Sequence, residues 1–322
     1  MLIRFGFVAM STVLENASPS QTVTWKTYQK IRETSTDAAI EKLLRVARQN
    51  LKNSLRLLQY CQANFVQVYR FSSKIIPLAT HPEVEWNYLQ DLQPELQALG
   101  EYIITNKLRV TFHPDHFIVL NSPREVVFKN AVADLAYHSL LLTALQQDDN
   151  AKLVIHVGGS YGNKETALER FMENWSLLPT GAAKRVILEN DDRTYTANET
   201  LTLCEKLQVP MVLDVHHDWC NHEPGRDLTE IYARFVGTWQ ATPLPPKIHV
   251  SSPKCTTAPR SHHNYVDAAA VYLVLKQLQR YTSTLDVMVE AKQKDQAMLR
   301  LVEDLGRLAG VKLLNRATLV IE

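Results

Sequence analysis

The chain has 322 residues, 45% of them apolar, and a net charge of +1, so it can bury a large core and has no global field drawing it onto nucleic acid. Any contact with DNA must come from a local patch. Its four cysteines, Cys61, Cys204, Cys220 and Cys255, lie far apart with no CxxC pair, which argues against zinc ribbons and disulfide frameworks and fits a reducing cytoplasm.

The opening MLIRFGFVAM could pass for a signal peptide, but its apolar stretch past Arg4 is short and interrupted by Gly6, with no clear cleavage site. It reads instead as a first strand, Ile3 to Val8. Asp37 to Cys61 has helical periodicity, with Ile40, Leu43, Leu44, Ala47, Leu51, Leu55 and Leu58 on one face. The basic stripe Arg45, Arg48, Lys52 and Arg56 on the same segment reads as a solvated face. Strand candidates follow at Val66 to Phe71, Val110 to His113 and Leu153 to Val157, with a helix over Arg124 to Gln146 starting after Pro123. A helix over Glu165 to Leu177 leads to a strand at Val186 to Glu189. Next come a helix over Asn198 to Leu207, started by Asn198, and a strand at Met211 to Val215. The pattern closes with a helix over Leu228 to Trp239, a strand at Ile248 to Val250, a helix over Val266 to Tyr281, a strand at Val287 to Glu290 and a helix over Gln293 to Leu308. The strand runs are apolar throughout, as expected of strands covered on both faces. No run approaches the roughly 20 residues of a membrane span. No linker or low-complexity tract divides residues 1–322, so the expectation is α/β, a single (β/α)8 TIM barrel in one domain.

Most of these runs end in a residue that can bind a metal: His113, His156, Glu189, Asp214 with His217, His249 and Glu290, with His262 following shortly after His249. A parallel barrel collects the C-terminal ends of its strands on one face, where active sites are built. Carboxylate oxygens suit hard divalent metals, and imidazole adds affinity for manganese, iron or zinc. The set is too rich for one ion and suits two or three that share bridging carboxylates, an arrangement used to split phosphodiesters. His216 and His217 are adjacent, so only one of them faces the metals.

The chain resembles the ATP-independent UV damage endonucleases. The stretches that carry the resemblance are RFGF near the start, YRFSSKIIPLATHPEV at Tyr69 to Val84, TFHP at Thr111 to Pro114, HVGGSYGNK at His156 to Lys164, LENDDRTYT at Leu188 to Thr196, LDVHH at Leu213 to His217, PKIHVSSPK at Pro246 to Lys254, SHHNYVDA at Ser261 to Ala268 and EAKQKDQAMLRL at Glu290 to Leu301. They run from the first strand to the last. The resemblance implies a barrel related in architecture to endonuclease IV and a centre of three divalent ions that favours manganese, with zinc or magnesium as alternatives. By position, it implies that His113, His156 and Glu189 form one cluster. Glu189 bridges to an ion also held by Asp214, His249 and Glu290, while His217 and His262 serve the third. Lys247 matches a position that can be carboxylated, and the resemblance places it with Glu189 and Glu290 among the catalytic residues. The implied reaction is a nick immediately 5′ of cyclobutane dimers, 6-4 photoproducts and abasic sites, leaving a 3′-hydroxyl. It requires damaged double-stranded DNA, no nucleotide cofactor and no membrane, and a monomer in the cytoplasm suffices.

One departure concerns the lesion probe. After FHP the family usually has Gln followed by an aromatic, and here the chain reads Asp115, His116 and Phe117. Phe7 stands where some members have Tyr and is counted with His116 and Phe117 among the residues expected to meet DNA. Basic residues on segments after strands, Arg70, Lys74, Lys164, Lys254, Arg260, Lys292 and Lys294, are candidates for phosphate contacts. Tyr161 is a candidate for stacking on a base, and His81 for a loop or DNA role. The competing readings are another metal barrel, such as a sugar isomerase or an abasic-site endonuclease, and a lesion-binding protein that does not cut. The extra pair His217 and His262 argues for phosphodiester chemistry over the isomerase, and the full set of acidic ligands argues against a mere binder.

Overall fold

The structure, a computed structural model, describes residues 1–322. Its strands, in chain order, are β1 Leu2–Val8, β2 Val68–Arg70, β3 Arg109–Phe112, β4 Lys152–His156, β5 Val186–Glu189, β6 Met211–Asp214, β7 Lys247–Val250, β8 Pro253–Cys255, β9 Ala258–His262, β10 Thr284–Val289, β11 Val311–Asn315 and β12 Thr318–Ile321. The helices are α1 Trp25–Arg32, α2 Thr36–Ala63, α3 Tyr88–Asp91, α4 Gln93–Thr105, α5 Glu125–Ala144, α6 Lys164–Trp175, α7 Thr180–Ala183, α8 Ala197–Leu207, α9 Val215–Cys220, α10 Leu228–Gly237, α11 Ala268–Leu278 and α12 Lys294–Leu305. Strands β1 to β7 and β10 pair in parallel around a closed barrel, with β10 returning to β1. These are the eight apolar runs of the sequence, their ends shifted by at most three residues.

Alternation along each strand sorts side chains between the helix layer and the barrel interior. On β1, Ile3, Phe5 and Phe7 are fully buried, and Phe7 packs edge-to-face against Tyr60 of α2 and Tyr69 of β2. Phe7 therefore lies under the helix layer and offers no surface to DNA, which corrects its expected role. The other parity points inward. Arg4 donates to Asp286 from Nε at 2.7 Å and Nη2 at 2.8 Å, and Arg109 donates to the same carboxylate at 2.5 Å. This buried ion triad plugs the lower end of the barrel, and losing one partner of such a group costs about 3–5 kcal/mol. Gly6 is required where β1 meets β2, since a Cβ there would lie 2.1 Å from the Val68 carbonyl oxygen.

Several elements were not expected. Helix α4 carries Leu96, Leu99, Gly100 and Ile103 on its buried face and supplies the crossover between β2 and β3. Helix α1 packs on α2. A small antiparallel hairpin, β8 with β9, stands beyond the end of β7. The chain ends in a second hairpin, where β12 pairs antiparallel with Leu2–Arg4 of β1. Helix α8 is capped by Thr196, not by Asn198. Thr196 accepts from the Glu199 N–H while the Glu199 carboxylate accepts from the Thr196 N–H, a reciprocal capping box. In the basic stripe of α2, Arg45 and Lys52 are exposed, while Arg48 reaches Glu95 and Arg56 donates to the carbonyls of Glu15 and Asn16. His81 stacks on Trp25 with ring centroids 3.9 Å apart, which is a loop-packing role.

Candidate metal centre

The inward residues at the C-terminal ends of the strands converge at the barrel mouth. Register places His156 beside Glu189 and Asp214 beside His249 on neighbouring strands. Glu189 is at the centre. Its Oε2 lies 2.7 Å from His113 Nε2 and 3.8 Å from His156 Nε2, and its Oε1 lies 2.8 Å from His249 Nδ1. His249 Nδ1 is also 3.1 Å from Glu290 Oε1. Two sets result, His113, His156 and Glu189, and Glu189, Asp214, His249 and Glu290. Within each, the potential ligand atoms lie within 4.8 Å of one another.

Asp214 ends β6 and caps α9, accepting the His217 N–H on Oδ1 at 2.7 Å. That cap explains the D-x-x-H spacing, because the third residue of the first turn is the one whose N–H reaches the cap. The other oxygen, Oδ2, is buried with no hydrogen-bond partner. Asn190 braces Asp214 from below, its Oδ1 accepting the Asp214 N–H and its Nδ2 donating to the Asp214 carbonyl, both at 2.9 Å. Asn190 lies within LENDD, but the motif alone does not reveal this bracing part. Ser73 similarly fixes the strand end at His113, donating to its carbonyl at 2.6 Å.

His217 Nδ1 sits 2.9 Å from the Asn190 carbonyl and 3.8 Å from both Glu189 Oε1 and Asp214 Oδ2. It borders the second set without joining it. His216 turns away, with Nδ1 2.6 Å from Ser251 Oγ and Nε2 2.7 Å from the Pro259 carbonyl. His262 belongs to neither set; its ring is 5.7 Å from that of His216, and it lines a small cavity with Glu290. Lys247, fully buried two residues below His249, places Nζ 3.4 Å from Thr111 Oγ1. Burial holds its amine well below the usual lysine range; Arg109, Arg70 and Arg4 add to this and Asp286 opposes it.

The electrostatics of the protein alone fit a cation. Burial raises the Asp214 carboxyl to about 7, with Glu189 and Glu290 adding to it against His217 and His249. Burial opposes charge on His249, yet Glu189 and Glu290 lift it to about 9. His217 rises likewise to about 9, burial being outweighed by Asp214, Glu189 and Glu290. Protons on these groups balance three crowded carboxylates, and a divalent ion is the other way to do so. Together with the orphaned Asp214 Oδ2, this mixed oxygen and imidazole set fits a divalent metal.

Around the mouth, Phe117 is 60% exposed on the β3–α5 loop with His116 edge-to-face beside it, and Asp115 pairs with Lys74 at 3.6 Å. Arg70 is ion-paired with Glu290. Tyr161 is exposed after β4, lying against Gly159, where a Cβ would come within 3.2 Å of its ring. Lys164 donates to both oxygens of Glu199 at 2.9 Å. Lys254 on β8 and Lys292 after β10 are exposed, and Arg260 donates to the Asp192 carbonyl.

A family profile described as UV-endonuclease UvdE matches residues 3–320. The UV DNA damage endonuclease of Bacillus velezensis is 44% identical over 312 residues, 97% of each chain. That of Bacillus pumilus is 43% identical over 99% of each. Among solved structures, the crystal structure of SacUVDE superposes with a TM-score of 0.83 at 27% identity, covering 95% of this chain and 100% of that one. Endonuclease IV from Thermus thermophilus shares the fold, with a TM-score of 0.55 at 13% identity over 94% of this chain and 97% of that one.

Proposed function

The chain belongs to the UV-endonuclease UvdE family, and from that premise we propose that this UV damage endonuclease hydrolyses the phosphodiester immediately 5′ of cyclobutane dimers, 6-4 photoproducts and abasic sites, leaving 3′-hydroxyl and 5′-phosphate ends. The observation that carries the reading is the pair of ligand sets sharing Glu189 at the barrel mouth, beside an exposed aromatic on a neighbouring loop. His113, His156 and Glu189 would hold one divalent ion, Glu189, Asp214, His249 and Glu290 a second, and His217 with His262 a third, manganese being the preferred metal. Bound ions of this kind supply a Lewis acid to the phosphodiester and a nucleophilic water at neutral pH.

The remaining roles belong to the chain's own groups. Glu189 holds the two sets in register, and Asn190 fixes the backbone of Asp214 through its N–H and carbonyl. The buried Lys247 amine, favoured in its neutral form, is suited to take up carbon dioxide and release a proton, giving a carbamate anion. Arg70, Lys254 and Lys292 neutralise backbone phosphates. Phe117 stacks into the helix at the lesion while His116 takes the place of the amide probe, and Tyr161 stacks on an extruded base. Damaged steps unstack at lower cost, so recognition rests on deformability. The protein acts on double-stranded DNA as a monomer, without a nucleotide cofactor, in the cytoplasm; no helix is long and apolar enough to cross a membrane.

The test is a nicking assay on duplexes carrying one cyclobutane dimer, one abasic site or no lesion, with manganese or with EDTA. A metal-dependent cut 5′ of the dimer, with an end that a polymerase extends, is expected. Glu189→Gln should lower incision by more than about 100-fold, beyond what loss of an outer-shell partner costs, while damaged-duplex binding persists. Full activity in that variant would overturn the bridging role, and cutting confined to abasic sites would narrow the substrate.

A further inference from the structure

A cavity of about 160 Å³ opens beside the metal centre, lined by Arg70, His262, Glu290, Lys292 and Lys294 among others. It lies below the roughly 300 Å³ of small-molecule pockets, a size that suits a phosphodiester group with its water. Three basic side chains face one carboxylate. Arg70 pairs with Glu290, while neither Lys292 nor Lys294 has an acidic partner. Three positive charges less one negative leave two in excess.

Lys294 is the unusual member. It is the first residue of α12, is only partly exposed and has φ +47°, a region that side-chain-bearing residues rarely occupy and that clusters at functional sites. The surrounding backbone is pinned from both sides. Lys292 and Gln293 donate their N–H groups to the His263 and Asn264 carbonyls at 3.0 and 3.1 Å, and Lys294 donates to Ala291 at 3.1 Å. The next residue, Asp295, is fully buried and accepts from Ser11 Oγ at 2.7 Å and the Thr12 N–H at 2.8 Å. The fold thus holds a partly desolvated ammonium, unpaired, against a cavity that already contains Arg70. Such a charge is costly without a counter-ion.

We propose that Lys294, with Lys292 and Arg70, forms a phosphate subsite that seats a non-scissile backbone phosphate of the damaged strand. This rests on the DNA-cleaving function proposed above. Glu290 is both a wall of this cavity and a member of the second ligand set, so the subsite adjoins the position of the scissile group and takes a phosphate close to it along the strand. Its contribution is register, fixing which linkage reaches the metals.

Single-turnover incision of a one-dimer duplex by metal-loaded protein in excess gives the half-saturating protein concentration and its salt dependence. In wild type, replacing single phosphates near the incision by uncharged methylphosphonates should locate one non-scissile position whose neutralisation weakens half-saturation several-fold. For Lys294→Met the log–log salt slope should become shallower, by up to about 0.9 for one phosphate contact, and that methylphosphonate should carry a smaller penalty than in wild type. Lys294→Arg should restore both. An unchanged slope in Lys294→Met, or no sensitive non-scissile position in wild type, overturns the subsite; the second needs no variant and is immune to misfolding. If wild type fails to cut the dimer duplex at all, the endonuclease reading fails and this inference with it.

Discussion

Asp214 does two things at once, and the geometry shows why one residue can. Its Oδ1 caps α9 by accepting the His217 N–H, and the cap fixes the carboxylate so that Oδ2 stays buried without a protein partner. The orientation is enforced from behind by Asn190, which bonds both the N–H and the carbonyl of Asp214 and is itself fully buried. The His217 ring leans on the Asn190 carbonyl as well. Removing that amide leaves the ligand types intact and frees their placement. Asn190→Ala should therefore weaken divalent-metal binding roughly 10–100-fold, the usual effect of losing an outer-shell partner. Calorimetric titration of manganese into wild type and variant measures this; equal affinities would show that strand register alone positions Asp214.

At the scale of elements, the eight barrel strands were legible because each is a short apolar run, and the ligands because they cluster where those runs stop. Which way a strand residue faces was not legible for Phe7, since parity only becomes meaningful once Tyr60 and Tyr69 are known to pack on it. Helix α4 carries its own period at Leu96, Leu99 and Ile103, but it follows a proline-rich stretch that reads as connection. The terminal hairpin was hidden because β11 is mostly exposed and lacks a core face, while β12 has meaning only beside β1. That pairing buries Leu319 and Ile321, so Leu319→Ala should cost about 2–5 kcal/mol in denaturant unfolding; a loss below about 1 kcal/mol would make the hairpin an appendage. The β3–α5 loop is the opposite case, with Phe117 largely exposed and His116 beside it. Replacing His116 by Gln leaves the ligand sets untouched. It should change the ratio of dimer to abasic incision more than the maximal rate, and equal slowing on all substrates would remove His116 from lesion reading.

The whole molecule combines an inert lower half with a charge-frustrated upper one. Below, Asp286 is satisfied by Arg4 and Arg109. Above, three carboxylates and several imidazoles share a buried mouth, and without a metal they are balanced by protons. His217 and His249 rise to about 9 in that state, where burial is outweighed by the carboxylates around them. A histidine raised above its unfolded value of about 6.5 adds stability that is fully present below that value and is lost as pH climbs through about 9. A divalent ion needs those rings neutral, so it competes with protons at pH 6 and less so at pH 8. Manganese should then stabilise the fold more at pH 8 than at pH 6. At 100-fold excess over its dissociation constant a ligand adds about 2.7 kcal/mol, which is a few degrees for a chain of this size. Melting curves in manganese and in EDTA at the two pH values read this directly. A larger shift at pH 6 would mean that protons do not stand in for the metal, and no shift at either pH would remove the metal centre itself.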